Sequence, residues 1–226
     1  MSDSRNRLVI IGLGGADWRL IGPWIQQKRL PTLAGLLEKA VISDLTSTIP
    51  PTASPAMASF FTGLRPDSTG VVSALNSEGS AASLADITAP CLWDYLGSSG
   101  VIGNYLGLGL TCPPRKVRGT MVGGDMSRAQ GQEYVAPAED MLSVQGFFPE
   151  SGEFQRLHQV LQSGRIRDQR GFIEDLITLT QRQFDIFQRL FEREPSRLFS
   201  MLWLENTDLL QRYCWSAPDL ILELYQ

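Results

Sequence analysis

Histidine is nearly missing from this 226-residue chain, which holds only His158, and cysteine is scarce, at Cys91, Cys112 and Cys214. The three cysteines are far apart, odd in number and without a CxxC pair. That spacing argues against a zinc knuckle or a disulfide framework and for reduced, partly buried thiols. His158 falls on an expected helix with no acidic cluster beside it, so a surface role outweighs metal ligation. Long apolar runs are also missing: nothing approaches the roughly 18 residues that a membrane span requires. The opening MSDSRNR is polar and runs directly into an apolar strand, with no leader-like segment, and a cytoplasmic location is expected. Basic residues are the minority, 20 Lys and Arg against 24 Asp and Glu, for a net charge of −4. A surface of that sign is a poor match for phosphate backbones, and no nucleic acid partner is expected. The one basic run, Pro114 to Arg118, reads as a solvated loop. No internal repeat or low-complexity tract stands out.

What is present suits a globular core. The chain is 43% hydrophobic and 19% charged, enough to fold without covalent staples, and 1–226 is expected to form one domain. Leu8 to Gly12 is a short apolar run closed by glycines, the pattern of a strand buried on both faces. Helices are expected over Trp18–Gln27 and Pro31–Lys39, with Pro31 in the first turn. Val41–Thr48 alternates loosely and reads as a second strand, and Pro55–Thr62 as a helix. Further on, Cys91–Leu96 reads as a helix, Val101–Leu106 and Thr120–Val122 as strands, and Phe154–Gln162 as a helix. The strongest helix runs from Gly171 to about Arg193. Phe172, Leu176, Leu179, Phe187 and Leu190 form its apolar stripe, widened by Ile173, Phe184 and Phe191. Leu198–Leu204 is a buried strand, and Ala217–Tyr225 is an apolar tail that can fold back as a helix. Loop-rich insertions fall near 68–90 and 123–151. Strands alternating with helices imply an α/β fold, a mostly parallel sheet flanked by helices on both faces.

Two motifs carry a resemblance. LVIIGLGGADW (Leu8 to Trp18) and IPPTASPAMASFFTG (Ile49 to Gly63) resemble the alkaline phosphatase superfamily, in its type I phosphodiesterase/nucleotide pyrophosphatase branch. That branch reads GLDGADW after its first strand and IPPxTPPAWTSFxTG at its nucleophile. Gly107 to Arg128 resembles the family's LTYPPxxVNGxMVSGF stretch. Asp168 to Trp215 resembles its long helix, buried strand and DRxQH turn. The correspondence runs in order along the chain but covers the first part of a typical member, so the chain is expected to be a truncated one.

The resemblance implies an alkaline phosphatase-like core and a pair of divalent metals, typically zinc, which activate a hydroxyl nucleophile for in-line displacement at phosphorus. Setting the motifs on this chain empties that site. Gly14 stands where the family has a metal-binding Asp, Ala53 where it has the nucleophilic Thr or Ser, and Arg212 where it has a metal-binding His. Asp208 keeps its carboxylate. Thr52 and Ser54 are the hydroxyls nearest Ala53, and Ser54 is expected to cap the helix that follows. Asp208 and Arg212 lie four residues apart, a spacing that favours an acid–base pair on one helix face. The expected function is a non-catalytic, phosphodiesterase-like binding or assembly module without a cofactor. Such a module would be a subunit of a larger complex, with a protein partner or a second copy covering the sheet. The alternative is a metal-dependent phosphodiesterase or phosphatase whose missing ligands come from a second chain.

Overall fold

The computed structural model describes residues 7–124, 134–148, 156–157, 159–160, 163–166, 168–193 and 197–226. Backbone contacts divide the described chain into two compact units, each built from three separated stretches. The first draws on Met1–Gly12, Ser47–Pro149 and Arg182–Trp203; the second draws on Leu13–Thr46, Glu150–Gln181 and Leu204–Gln226. The fold is α/β.

The sheet has five strands: β1 (Leu8–Leu13), β2 (Ile102–Leu108), β3 (Gly119–Gly123), β4 (Val135–Ala136) and β5 (Arg197–Leu204), in the order β1-β5-β2-β3-β4. β2 runs parallel to β3 and to β5, and β4 is antiparallel to β3. In register, Met201, Tyr105 and Met121 share one row, and Ser200, Asn104 and Thr120 the next. Because strand side chains alternate between faces, these rows point to opposite sides. The Tyr105 row packs against α3 (Ala53–Thr62) and α5 (Leu92–Ser98) through Met57, Phe61 and Trp93. Trp93 stands 4.9 Å from Phe61 and 5.8 Å from Tyr105 between ring centres. A short helix, α4 (Pro66–Thr69), follows α3 and ends at Gly70. The Asn104 row faces the later half of the long helix α6 (Gln169–Arg193). There the Asn104 amide donates to Ser200 Oγ at 3.2 Å and to the Leu190 carbonyl at 3.5 Å.

In the second unit, α1 (Trp18–Gln26) buries Ile21 and Trp24, and Pro31 opens α2 (Pro31–Leu37) as expected. α7 (Asn206–Cys214) and α8 (Pro218–Tyr225) complete it, and the expected tail helix is α8. Trp24 and Tyr225 lie 5.8 Å apart between ring centres, and Arg170 binds Glu223 at 2.8 Å. Buried hydroxyls and amides are paired: Asn206 Nδ2 donates to Thr180 Oγ1 at 2.8 Å, and Thr180 Oγ1 donates to the Leu176 carbonyl at 2.7 Å.

The structure corrects several expectations. β1 is the end strand of the sheet, with Leu8, Val9 and Ile11 exposed, so it is not buried on both faces. Val41–Thr48 forms no strand; Val41 is 97% and Leu45 91% exposed. Its loose alternation supplied β-propensity, but no ladder partner satisfies it. Phe184 lies outside the buried stripe of α6 and is exposed, because the helical period brings Gln183, Ile186 and Phe187 inward at that level. β4, too short for a hydrophobic pattern, had no signal in the sequence. Of the expected helix Phe154–Gln162, residues 156, 157, 159 and 160 are helical; His158 and the others lie outside the described residues. Among the described residues no helix is long and apolar enough to cross a membrane.

Candidate functional site

The first group of candidate residues sits at the start of α3. The Ile49–Pro50 bond is cis, and Thr52 takes the N-cap position with φ −119° and ψ 157°. The helix is under way by Ala56, whose N–H donates to the Thr52 carbonyl at 3.1 Å. Pro55 sits in the first turn, where its missing N–H leaves no helical bond unmade. Met57, Ala58 and Phe61 turn into the core, and Gly63, at φ +72°, ends the helix. Ser54 is therefore not the cap. The helix starts one residue earlier, at Ala53, which places Ser54 inside the first turn, and the Thr52 side chain makes no capping bond. Thr52 and Ala53 are exposed and Ser54 is half-buried. At the position that matters for chemistry, this helix start presents a methyl group.

The second group lies in the other unit, where β1 turns toward α1. Gly14 and Gly15 make the turn, Gly15 at φ +66°. Asp17 then caps α1, accepting the Arg19 backbone N–H at 2.7 Å. The Arg19 guanidinium and that N–H together hold the Asp17 carboxyl at about 2, below the usual range. Gly14 N–H donates to the Leu204 carbonyl at 2.9 Å. The buried Thr207 hydroxyl donates back to the Gly14 carbonyl at 2.7 Å. These bonds set the turn directly against the first turn of α7, which carries Asp208. Arg212 Nη2 meets Asp208 Oδ2 at 2.5 Å, with the side chains 61% and 34% exposed. The acid stands in the first turn of its helix and the base in the last, the arrangement that complements the helix dipole.

The structure therefore brings Gly14, Asp208 and Arg212 together in one unit and places Thr52, Ala53 and Ser54 in the other. In the sequence Leu204 is marked only as the end of a buried strand and Gln211 only as part of the DRxQH-like segment, and Thr207, a lone threonine at a helix start, gives no reason to choose it.

Residues 8–106 match the family model for type I phosphodiesterase / nucleotide pyrophosphatase. That stretch, less than half of the chain, is similar to this family. No curated protein and no solved structure matches it. The matched stretch includes Gly14 and Ala53, whereas Asp208 and Arg212 lie beyond it; their reading rests on the motif, on the packing of Asp208 against Gly14 and on the Asp208–Arg212 pair.

Type I phosphodiesterases imply a pair of divalent metals, and the donors here do not fit them. Catalytic zinc takes three protein ligands, from imidazole, thiolate or carboxylate. At this site Gly14 offers no side chain and Arg212 is a fixed cation that repels a metal. The Asp208 carboxylate is already bonded to Arg212. Among the described residues no three His, Cys, Asp or Glu side chains converge. The cysteines do not substitute: all three are buried, and burial pushes the Cys91 thiol up to about 11 and the Cys214 thiol upward as well. Protonated thiols are poor ligands and poor nucleophiles.

Proposed function

We propose that this chain is a non-catalytic, phosphodiesterase-like binding or assembly module that works in the cytoplasm as a subunit of a larger complex and needs no metal. One observation carries the reading: Ala53 stands at the start of α3, where the family's nucleophile belongs, and a methyl group cannot attack phosphorus. Losing a nucleophile alone typically removes on the order of a millionfold in rate, about 8 kcal/mol of transition-state stabilisation. The neighbouring hydroxyls do not replace it. Thr52 is in extended conformation outside the helix, and Ser54 is about 100° farther round it than position 53. Gly14 and the Asp208–Arg212 pair support the same reading in the other unit.

A role in assembly draws on the surface. Among the described residues no strand pairs with the outer edge of β1, so backbone donors and acceptors are open there beside exposed Leu8, Val9 and Ile11. An unpaired edge with apolar flanks invites a partner. The test is hydrolysis of bis(4-nitrophenyl) phosphate by the purified chain in the presence of zinc or manganese. The expected rate equals that of the metal-containing buffer. Metal-dependent turnover that co-purifies with the chain would sink the proposal, and its appearance only with a second polypeptide would favour a site completed in trans.

A further inference from the structure

We infer that the Gly14–Gly15 turn has closed onto the first turn of α7, so that the metal position of the family is filled by packing and restoring its donors would not reopen it. A Cβ built on Gly14 would stand 3.1 Å from the Leu204 carbonyl oxygen, 3.2 Å from Asp208 Cβ and 3.5 Å from Glu205 Cα. Contacts of 3.1 and 3.2 Å are tolerated only if the neighbours yield, and here they are held. The Gly14 N–H bond to Leu204 and the Thr207 hydroxyl bond to Gly14 fasten the turn to the groups it would strike. Gly15 is more tightly confined: its φ of +66° suits glycine, and a Cβ there would come within 3.0 Å of Asp208 Oδ1 and 3.3 Å of Gln211 Nε2.

Two carboxylates sharing a metal need room for the ion between them, each oxygen about 2.0–2.2 Å from it. An Asp at position 14 would instead begin its side chain in contact with Asp208 Cβ. The negative charge of Asp208 is met by the Arg212 guanidinium rather than by a divalent ion. Gln211 consolidates the arrangement, donating through Nε2 to the Thr207 carbonyl at 3.1 Å and lying 3.1 Å from the Tyr225 hydroxyl. A charge pair and a hydrogen-bonded turn now occupy the place of an ion.

A closed turn presupposes the non-catalytic reading, yet the two fail in different assays. The first experiment is thermal melting of the full chain carrying Gly14→Ala. Closure predicts a fall in Tm of about 2–4 °C, the usual effect of one strained contact in a domain of this size. An unchanged or raised Tm means that the turn has space, and overturns the inference. The second is zinc titration of Gly14→Asp/Arg212→His by calorimetry and by melting with and without zinc. Expected are no stoichiometric zinc and a Tm that zinc does not raise; one tightly held zinc with a raised Tm overturns the inference. Should the double variant fail to fold, the Gly14→Ala result decides alone. Neither outcome depends on turnover by the parent chain, which bears only on the non-catalytic reading.

Discussion

The start of α3 and the β1–α1 turn, the two places where the motifs put candidate residues, are built in different physical ways. At α3 the candidate position is left open. Ala53 is exposed, the Thr52 side chain makes no capping bond, and the helix is fixed by its inner face through Met57, Ala58 and Phe61. At the turn the candidate position is held by contacts. Gly14 is bonded to Leu204 and Thr207, and Asp208 is paired with Arg212. One position is exposed and open to a point change, and the other is part of the fold.

Substitutions that load the turn should have the largest effects. Gly15→Val is expected to be the most damaging, because the β-branched residue must adopt a left-handed φ and meets Asp208 and Gln211. A loss of about 2–4 kcal/mol is expected from the backbone penalty and the clash together. Urea unfolding measures it, and a midpoint within error of the parent would show that the turn is not packed as described. Thr207→Val is nearly isosteric and removes a hydroxyl that donates to the Gly14 carbonyl at 2.7 Å and lies 3.1 Å from the Leu204 carbonyl. It leaves the Gly14 carbonyl without its hydroxyl partner in a buried setting, at a cost of about 1–3 kcal/mol. A neutral result in the same measurement would remove Thr207 from the account and leave Gly14 held by Leu204 only.

Much of the architecture was legible in the sequence because periodicity reports burial. The stripe through Phe172, Ile173, Leu176, Leu179, Phe187 and Leu190 is buried as read, and the strands Ile102–Leu108 and Arg197–Leu204 pair in parallel. Burial of β1 was not legible, since an apolar run at a sheet edge looks the same as one at its centre. Val41–Thr48 failed for a related reason: strand propensity needs a ladder partner, and pairing is non-local. At the candidate site the motifs pointed to Gly14, Ala53, Asp208 and Arg212 as candidates, and the four-residue spacing foretold the ion pair between the last two. The closure of the turn was hidden. Close approach of backbone to backbone depends on how two separated stretches meet, and a glycine in the sequence does not say whether it fills a tight contact or borders open space. Ser54 was misplaced for a smaller reason, because capping preferences discriminate poorly between adjacent hydroxyl residues.

Ala53→Thr probes the vacant position and carries the smallest expected change. The residue is exposed at the first position of α3 and the added atoms point to solvent. Stability should therefore shift by no more than about 0.5 kcal/mol in either direction. The variant regains a hydroxyl where the family has its nucleophile, yet a hydroxyl with an ordinary pKa attacks phosphorus slowly unless a base or a metal activates it. The donors that would hold such a metal are absent at Gly14 and Arg212, and Asp208 is engaged. Hydrolysis of bis(4-nitrophenyl) phosphate by Ala53→Thr with added zinc should thus remain at the level of the parent chain. A metal-dependent gain from this one substitution would mean that the turn still accepts an ion, and the distinction between a vacant position and a rebuilt one would collapse.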